Sequence, residues 1–296
     1  MIEFNGVFNG YIRNCKFENY GNIGSDGTEA VQVDAMISGE QFPWFGNYDN
    51  VANKHIIIEG NSFSNIGTKC IGNHSFAPGI VQKDIIINNN TFDNVHTAIS
   101  INDFESLNVT NNTSSSCRFF LETENKNNSS KYLNIVGNTH RGNYGNLDNL
   151  GDERFVSINK SGNHEDLRVE YVNITNNHVS SCSGHAIGYT ANFVKIVNND
   201  FFNIAWHGVY HFGGLCASIC NNTFRDTGKV DNRYAIVTGN NTAEKSEGIV
   251  INGNSIANLR GIQISTNSHK VIVSSNIGQV TNNVADECTV ANNMSR

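Results

Sequence analysis

The chain has 296 residues, enough for a sizeable core in one large domain or two small ones. Its formal net charge of -7 argues against nucleic acid, where affinity comes from Lys and Arg, and leaves an anionic polymer to a local basic patch. Charged residues at 16%, with only 2 Pro and 3 Met, suit neither a disordered chain nor a helical one.

No apolar run is long enough to span a membrane, and no signal-peptide pattern opens the chain, so membrane insertion is not expected. The first element is Tyr11-Ile12-Arg13-Asn14-Cys15-Lys16-Phe17: bulky apolar residues, then Asn, then Phe. The next, Gly27-Thr28-Glu29-Ala30-Val31-Gln32-Val33-Asp34, reads as a strand with Val31 and Val33 inward and Gln32 and Asp34 outward. Both phrases then recur. The first returns at Ile57–Phe63, Ile86–Phe92, Val172–Asn177, Lys195–Phe201, Ser218–Phe224 and Val250–Ile256. The second, a slot strand, returns around Cys70-Ile71, Ala98-Ile99, Phe155-Val156, Ala186-Ile187, Gly208-Val209 and Gly261-Ile262.

The tightest copies repeat at about 22 residues, a solenoid period. A leucine framework and a sustained helical period are both missing, which leaves a coil of short parallel strands stacked about 4.8 Å apart. Asn at the fixed place tolerates left-handed backbone and can bond to the Asn above and below. Asn90, Asn112, Asn177, Asn199, Asn222 and Asn254 are therefore expected in one ladder, and Phe17, Phe63, Phe92, Phe201 and Phe224 in one internal stack. The 7 Cys read as free, mostly buried thiols, and His211, alternating inward with Tyr189, as a satisfied core residue.

The repeats resemble those of the right-handed parallel β-helix proteins: pectate lyases, polygalacturonase-type hydrolases, alginate epimerases and phage tailspike depolymerases. The resemblance implies an all-β, single-stranded right-handed parallel β-helix over residues 1–296, with loop insertions along one face. It also implies a polysaccharide or cell-wall glycan as partner, and a place outside the cell, on a virion or on a cell surface. The first coil enters the pattern without an obvious cap, which suggests a piece of a longer protein, a homotrimer or an adjoining domain. Against the polygalacturonase-type hydrolases, Gly27-Thr28-Glu29 is similar to their first acidic strand. Lys69 stands where the second has a carboxylate, however, and Gly184-His185 and His207-Gly208 lie coils away from the expected place. That catalytic set is not carried over.

On the expected groove face, Glu29, Gln32 and Asp34 share one coil, Lys69 and His74 the next, then Asn102 and Asp103, Glu122 and Glu124, and Arg154. The longest insertion, Met36 to Asn53, carries Phe42, Trp44, Phe45 and Tyr48, whose faces can stack on sugars. Acid-base work is expected of Asp34, His74, Glu29, Lys69 and Asp103, with Asp34 and Asp103 about 9–10 Å apart as for inverting hydrolysis. A lyase or epimerase would use Lys69 or His74 as base. Substrate contacts are expected from Gln32, Trp44, Tyr48, Asn102, Glu122 and Arg154, and farther along from His185, His207 and Tyr210. No residue spacing marks a metal or nucleotide site, and Ca2+ enters only with the lyase reading. The function expected is a polysaccharide-degrading enzyme, hydrolase or lyase, of the phage tail depolymerase kind. The alternative is a glycan-binding module without catalysis.

Overall fold

A computed structural model describes residues 1–21, 29–35, 37, 50–74, 76–142, 153–160, 167–230, 233–239, 245–257, 260–282 and 286–294. Every described regular element is a β-strand, and each strand pairs in parallel with the equivalent strand of the next coil. The protein is an all-β parallel β-helix. No helix of the described residues is long and apolar enough to cross a membrane.

The slot strands stack in strict register. Val31, Ile71, Ile99, Leu121, Val156, Ile187, Val209, Ile236 and Ile262 form one column, every member fully buried. Each such side chain contributes about 1.5–3 kcal/mol by leaving water. A one-residue slip would turn the whole column outward, and that cost fixes which residues face the groove.

The Asn ladder is continuous and longer than expected. It runs through Asn61, Asn90, Asn112, Asn138, Asn177, Asn199, Asn222, Asn254, Asn276 and Asn293, each side-chain amide donating to the next side-chain oxygen at 2.9–3.1 Å. Asn138 supplies a coil that the expected series passed over, between Asn112 and Asn177. The work is also divided between two neighbours. The left-handed residue is the one before the ladder, such as Asn89 (φ 54), Asn111 (φ 54) or Gly137 (φ 68), and the ladder Asn itself binds.

The aromatic column is broken into two. Phe17, Phe63 and Phe92 stack at 4.8 and 5.1 Å, and Phe201 on Phe224 at 4.9 Å. Between them the register places Ser114, His140 and Val179. Ser114 Oγ bonds His140 Nδ1 at 2.8 Å, and burial drives the His140 pKa down to about 3. His211 also differs from expectation. It is fully buried with its ring 4.8 Å from that of Tyr189, yet neither nitrogen has a hydrogen-bond partner among the described residues. All seven thiols are free, but only Cys70, Cys117 and Cys182 are buried.

Candidate functional site

Strand Glu29–Asp34 pairs with the far end of strand Ser62–Gly72, setting Glu29 beside Lys69 and Gln32 beside Gly72. Two residues past that strand, His74 reaches back to the coil below. Its Nδ1 lies 3.2 Å from Glu29 Oε2 and 3.2 Å from Asp34 Oδ2, and its backbone N–H donates to Asp34 Oδ1 at 2.8 Å. Gln32 Nε2 donates to the same Glu29 oxygen at 3.1 Å. The structure therefore brings together Asp34, His74, Glu29, Gln32 and Lys69.

One part of the sequence reading is corrected here. The outward places of this strand are not open on a groove face: Glu29 and Asp34 have no exposed surface, and Gln32 keeps 5%. Buried carboxylates need compensation, and the cluster provides it. Burial pushes the Glu29 pKa up. The hydrogen bond and charge of His74, with Lys69 and Gln32, outweigh that and hold it below the ordinary value. The bond to Glu29 raises the His74 pKa, partly opposed by burial and assisted by the charges of Asp34, Glu29 and Glu3. The cluster thus favours the charged forms of both Glu29 and His74, with Lys69 beside them.

Two details give the cluster a direction. His74 Nδ1 is taken by the carboxylates, while Nε2 makes no hydrogen bond among the described residues and the side chain keeps 34% of its surface open. Glu29 Oε1 is buried, again without a hydrogen-bond partner among the described residues. Gly72 supplies the room, since a Cβ there would fall 2.7 Å from Glu29 Cγ. Sequence reasoning missed Gly72, although a glycine inside a strand is the usual sign of a close approach.

The other expected residues separate from this group. Asp103, buried at a left-handed corner (φ 49), accepts from the backbone N–H groups of Lys126 and Asn127 at 2.8 and 2.9 Å and from the Asn128 amide at 3.2 Å. Its oxygens hold a turn, which is a framework role rather than the acid-base role expected of it. Asn102 is buried in a similar framework role, accepting from Glu124 N at 2.7 Å. Glu124 pairs with Lys126 at 2.6 Å, and Glu122 is half-buried in register with Ser157. Trp44 and Tyr48, with Phe42 and Phe45, lie outside the described residues.

Calcium takes six to eight oxygens. Here Glu29 Oε2 and Asp34 Oδ2 face the His74 imidazole at 3.2 Å each. Among the described residues no group of three or more His, Cys, Asp or Glu is arranged to hold a metal.

A second patch lies farther along the same sheet. His185, His207 and Tyr234 occupy the place, two residues before the slot's apolar residue, that Glu29, Lys69 and Arg154 occupy on other coils. His185 stacks on His207 at 5.2 Å with planes 7° apart, and Tyr210 and Trp206 contact His185 at 4.8 and 5.1 Å. Arg233 lies 4.3 Å over Trp206, and Arg154 donates to Ser157 Oγ at 3.2 Å. Burial, His207 and the charges of Arg154 and Arg233 push the His185 pKa down to about 2. Burial also lowers that of His207 to about 4, with Arg233 adding to it. Both imidazoles are neutral. His207 Nδ1 accepts from Tyr234 N at 2.9 Å, while His185 Nδ1, only 3% of the residue being exposed, has no partner among the described residues. Trp206 and Arg233 were not expected from sequence, because both stand outside the slot strands.

No protein-family model matches the chain, and no curated protein matches it in sequence. Among solved structures it is similar to PfbA, a surface adhesin of Streptococcus pneumoniae (13% identity, TM-score 0.40), covering 100% of this chain and 57% of that one. Tailspike protein 3 of bacteriophage CBA120 aligns at 12% identity and TM-score 0.41, over 99% of this chain and 56% of that one. The A-module of the Azotobacter vinelandii mannuronan C-5 epimerase AlgE6 aligns at 12% and 0.39, over 99% and 76%. The chain thus spans little more than half the length of the adhesin and the tailspike.

Proposed function

We propose that this β-helix binds and cleaves a polysaccharide along the sheet that carries His74, with His74 Nε2 as the proton donor to the glycosidic oxygen. The supporting observation is the position of its other nitrogen, held at 3.2 Å from each of two buried carboxylates. Such a clamp fixes the ring and favours its charged form, the state that a general acid requires. Glu29 and Asp34 are then positioning residues. Their burial keeps them from the substrate but not from the imidazole. In hydrolysis the proton goes to the leaving oxygen, water gives its hydroxyl to the anomeric carbon, and the remaining proton restores the imidazolium. Elimination would need His74 neutral as a base, and the raised pKa opposes that.

The aromatic and arginine patch around Trp206 supplies contacts for sugars away from the reacting bond, including any that carry an acidic group. A groove of this kind belongs outside the cell, on a virion or a cell surface, with a cell-wall or capsular glycan as partner. The test is a glycan panel read for new reducing ends and for the absorbance of unsaturated uronates. Product from the wild type that falls about 10²-fold or more in His74→Gln, with glycan binding kept, is the expected result. Retained binding with no product from the wild type overturns the catalytic part. The same outcome supports a glycan-binding module, a reading favoured by the neutral, aromatic character of the second patch.

A further inference from the structure

The second sheet of the coil carries a ladder of its own. On every coil the same corner residue has a left-handed backbone: Asn9, His55, Asp84, Ser106, Tyr132, Tyr171, Phe193, Cys216, Gly248, Lys270 and Glu287. The registers on both sides place them in one column. Left-handed backbone favours Gly, Asn and Asp and is strained for a ring-bearing side chain. Three consecutive coils nevertheless place a ring there. Tyr132, Tyr171 and Phe193 keep 48%, 46% and 39% of their surface exposed, and stack at 5.2 and 5.0 Å with planes 17° and 13° apart.

Strained residues persist where surroundings or function hold them, and they concentrate at ligand clamps. Here the rings wall a concave groove of about 590 Å³. Its floor presents Asn134, Asn173 and Lys195, and Lys195 forms no ion pair among the described residues. The stack then stops. Cys216 and Gly248 follow Phe193 in the column, and a Cβ added at Gly248 would meet nothing nearer than the Cys216 sulfur at 3.6 Å. Side chains this short leave the last ring without a next member.

We infer that this groove is a glycan-binding site on the sheet opposite the His74 cluster, taking a pyranose against the open end of the Tyr132–Tyr171–Phe193 stack. The apolar C–H face of the sugar continues the ladder over Cys216, while its hydroxyls meet the amides and the ammonium of the floor. A volume of this size lies in the range of small-ligand sites. Ion pairs on the coils to either side, Lys83–Glu105 and Lys270–Glu247, put charge where the core of a protein–protein interface is depleted of it. The sugar is therefore the occupant the site fits, rather than a second copy of the chain. The inference stands apart from the acid-base reading, because it uses a different sheet and none of the same residues.

The test uses the whole chain and cellopentaose or maltopentaose at millimolar concentration. Alkylation of Cys216 by iodoacetamide, mapped by mass spectrometry, should slow several-fold with sugar present, while the exposed Cys15 reacts unchanged. Phe193→Asn and Tyr171→Asn place an amide where left-handed backbone tolerates it, so the fold should hold. Both should abolish the protection and leave any His74-dependent product formation unaltered. Three results would overturn the inference. One is no protection of Cys216 by either sugar. Another is a large fall in Tm in the Asn variants with protection kept, which would make the stack a structural staple. The third is a concentration-dependent dimer that Phe193→Asn dissolves, which would give the face to a second copy.

Discussion

The His74 cluster and the His185–His207 patch lie on one sheet of one solenoid, about five coils or 24 Å apart, and the pKa values of their imidazoles shift in opposite directions. His74 meets two carboxylates and its pKa rises; His185 and His207 meet each other and arginines, and fall to about 2 and about 4. The backbone scaffold is the same in both places. The difference comes from which side chains the register delivers next to each ring. In a solenoid, function is a matter of which residue occupies a repeated place, and the fold leaves that choice free.

The largest expected effect comes from breaking the first region. His74→Ala removes the imidazole that Glu29 and Asp34 share and leaves two buried carboxylates without it. Stability should fall by about 2–4 kcal/mol, below the figure for a fully buried pair because the imidazole is a third exposed. Urea unfolding of the variant at pH 6 measures it. An unchanged midpoint would mean the carboxylates do not depend on His74.

Acid should separate the two regions next. His185 and His207 have folded pKa values below the unfolded value near 6.5, so the unfolded chain binds more protons as pH falls. Their contribution therefore erodes below pH 6.5, down to about pH 4 for His207 and about pH 2 for His185, by about 2 kcal/mol for each ring at pH 5. His74 has the reverse sign. Its raised pKa stabilises the fold below pH 6.5, and that contribution fades as pH rises through the folded value. His185→Phe should flatten the loss of stability between pH 8 and pH 5, since it removes a ring whose Nδ1 has no partner to lose. His207→Phe should flatten it too. It should also cost about 1–3 kcal/mol at every pH, because Tyr234 N–H loses its acceptor. Urea midpoints across that range decide it, and an unchanged slope in both variants would show that neither ring resists protonation.

Much of this organisation was legible in the sequence. The alternation of apolar residues around Val31 and the spacing of the Asn residues set fold and register, because burial and the amide ladder both penalise a one-residue slip. The same register put Asp34 and His74 on adjacent coils. What could not be read was burial on the outward side. Alternation tells inside from outside, but not which outward residue becomes buried, so Glu29 and Asp34 were expected on an open groove face. Asp103 misled for a related reason. An acid before a strand can serve a ligand or hold a turn, and only its contacts with Lys126, Asn127 and Asn128 separate the two. The stacked corner aromatics stayed hidden because Tyr132, Tyr171 and Phe193 interrupt the alternation rather than follow it.

A finer cut is Glu29→Gln, which keeps the shape and removes one charge. The bond to Glu29 is the largest cause of the raised His74 pKa, so the titration of His74 followed by NMR should move down toward the ordinary histidine value. The charge of Asp34 remains and should hold part of the shift. A titration that does not move would assign the effect to Asp34 alone.

The smallest expected effect asks whether burial or charge decides the neutrality of the second patch. Arg233 contributes to the depression of both His185 and His207, but burial is the larger cause for each. Arg233→Met keeps an apolar stem over Trp206 and removes the charge, so the rings stay dry. Both pKa values should rise and still remain below the unfolded 6.5, with a change in stability at pH 5 below about 1 kcal/mol. The same variant should leave His74 untouched, since Arg233 is not among the groups that act on it. If either ring of the pair instead titrated above 6.5, arginine charge rather than burial would be what keeps this patch neutral. The contrast with His74 would then be one of neighbouring charge alone.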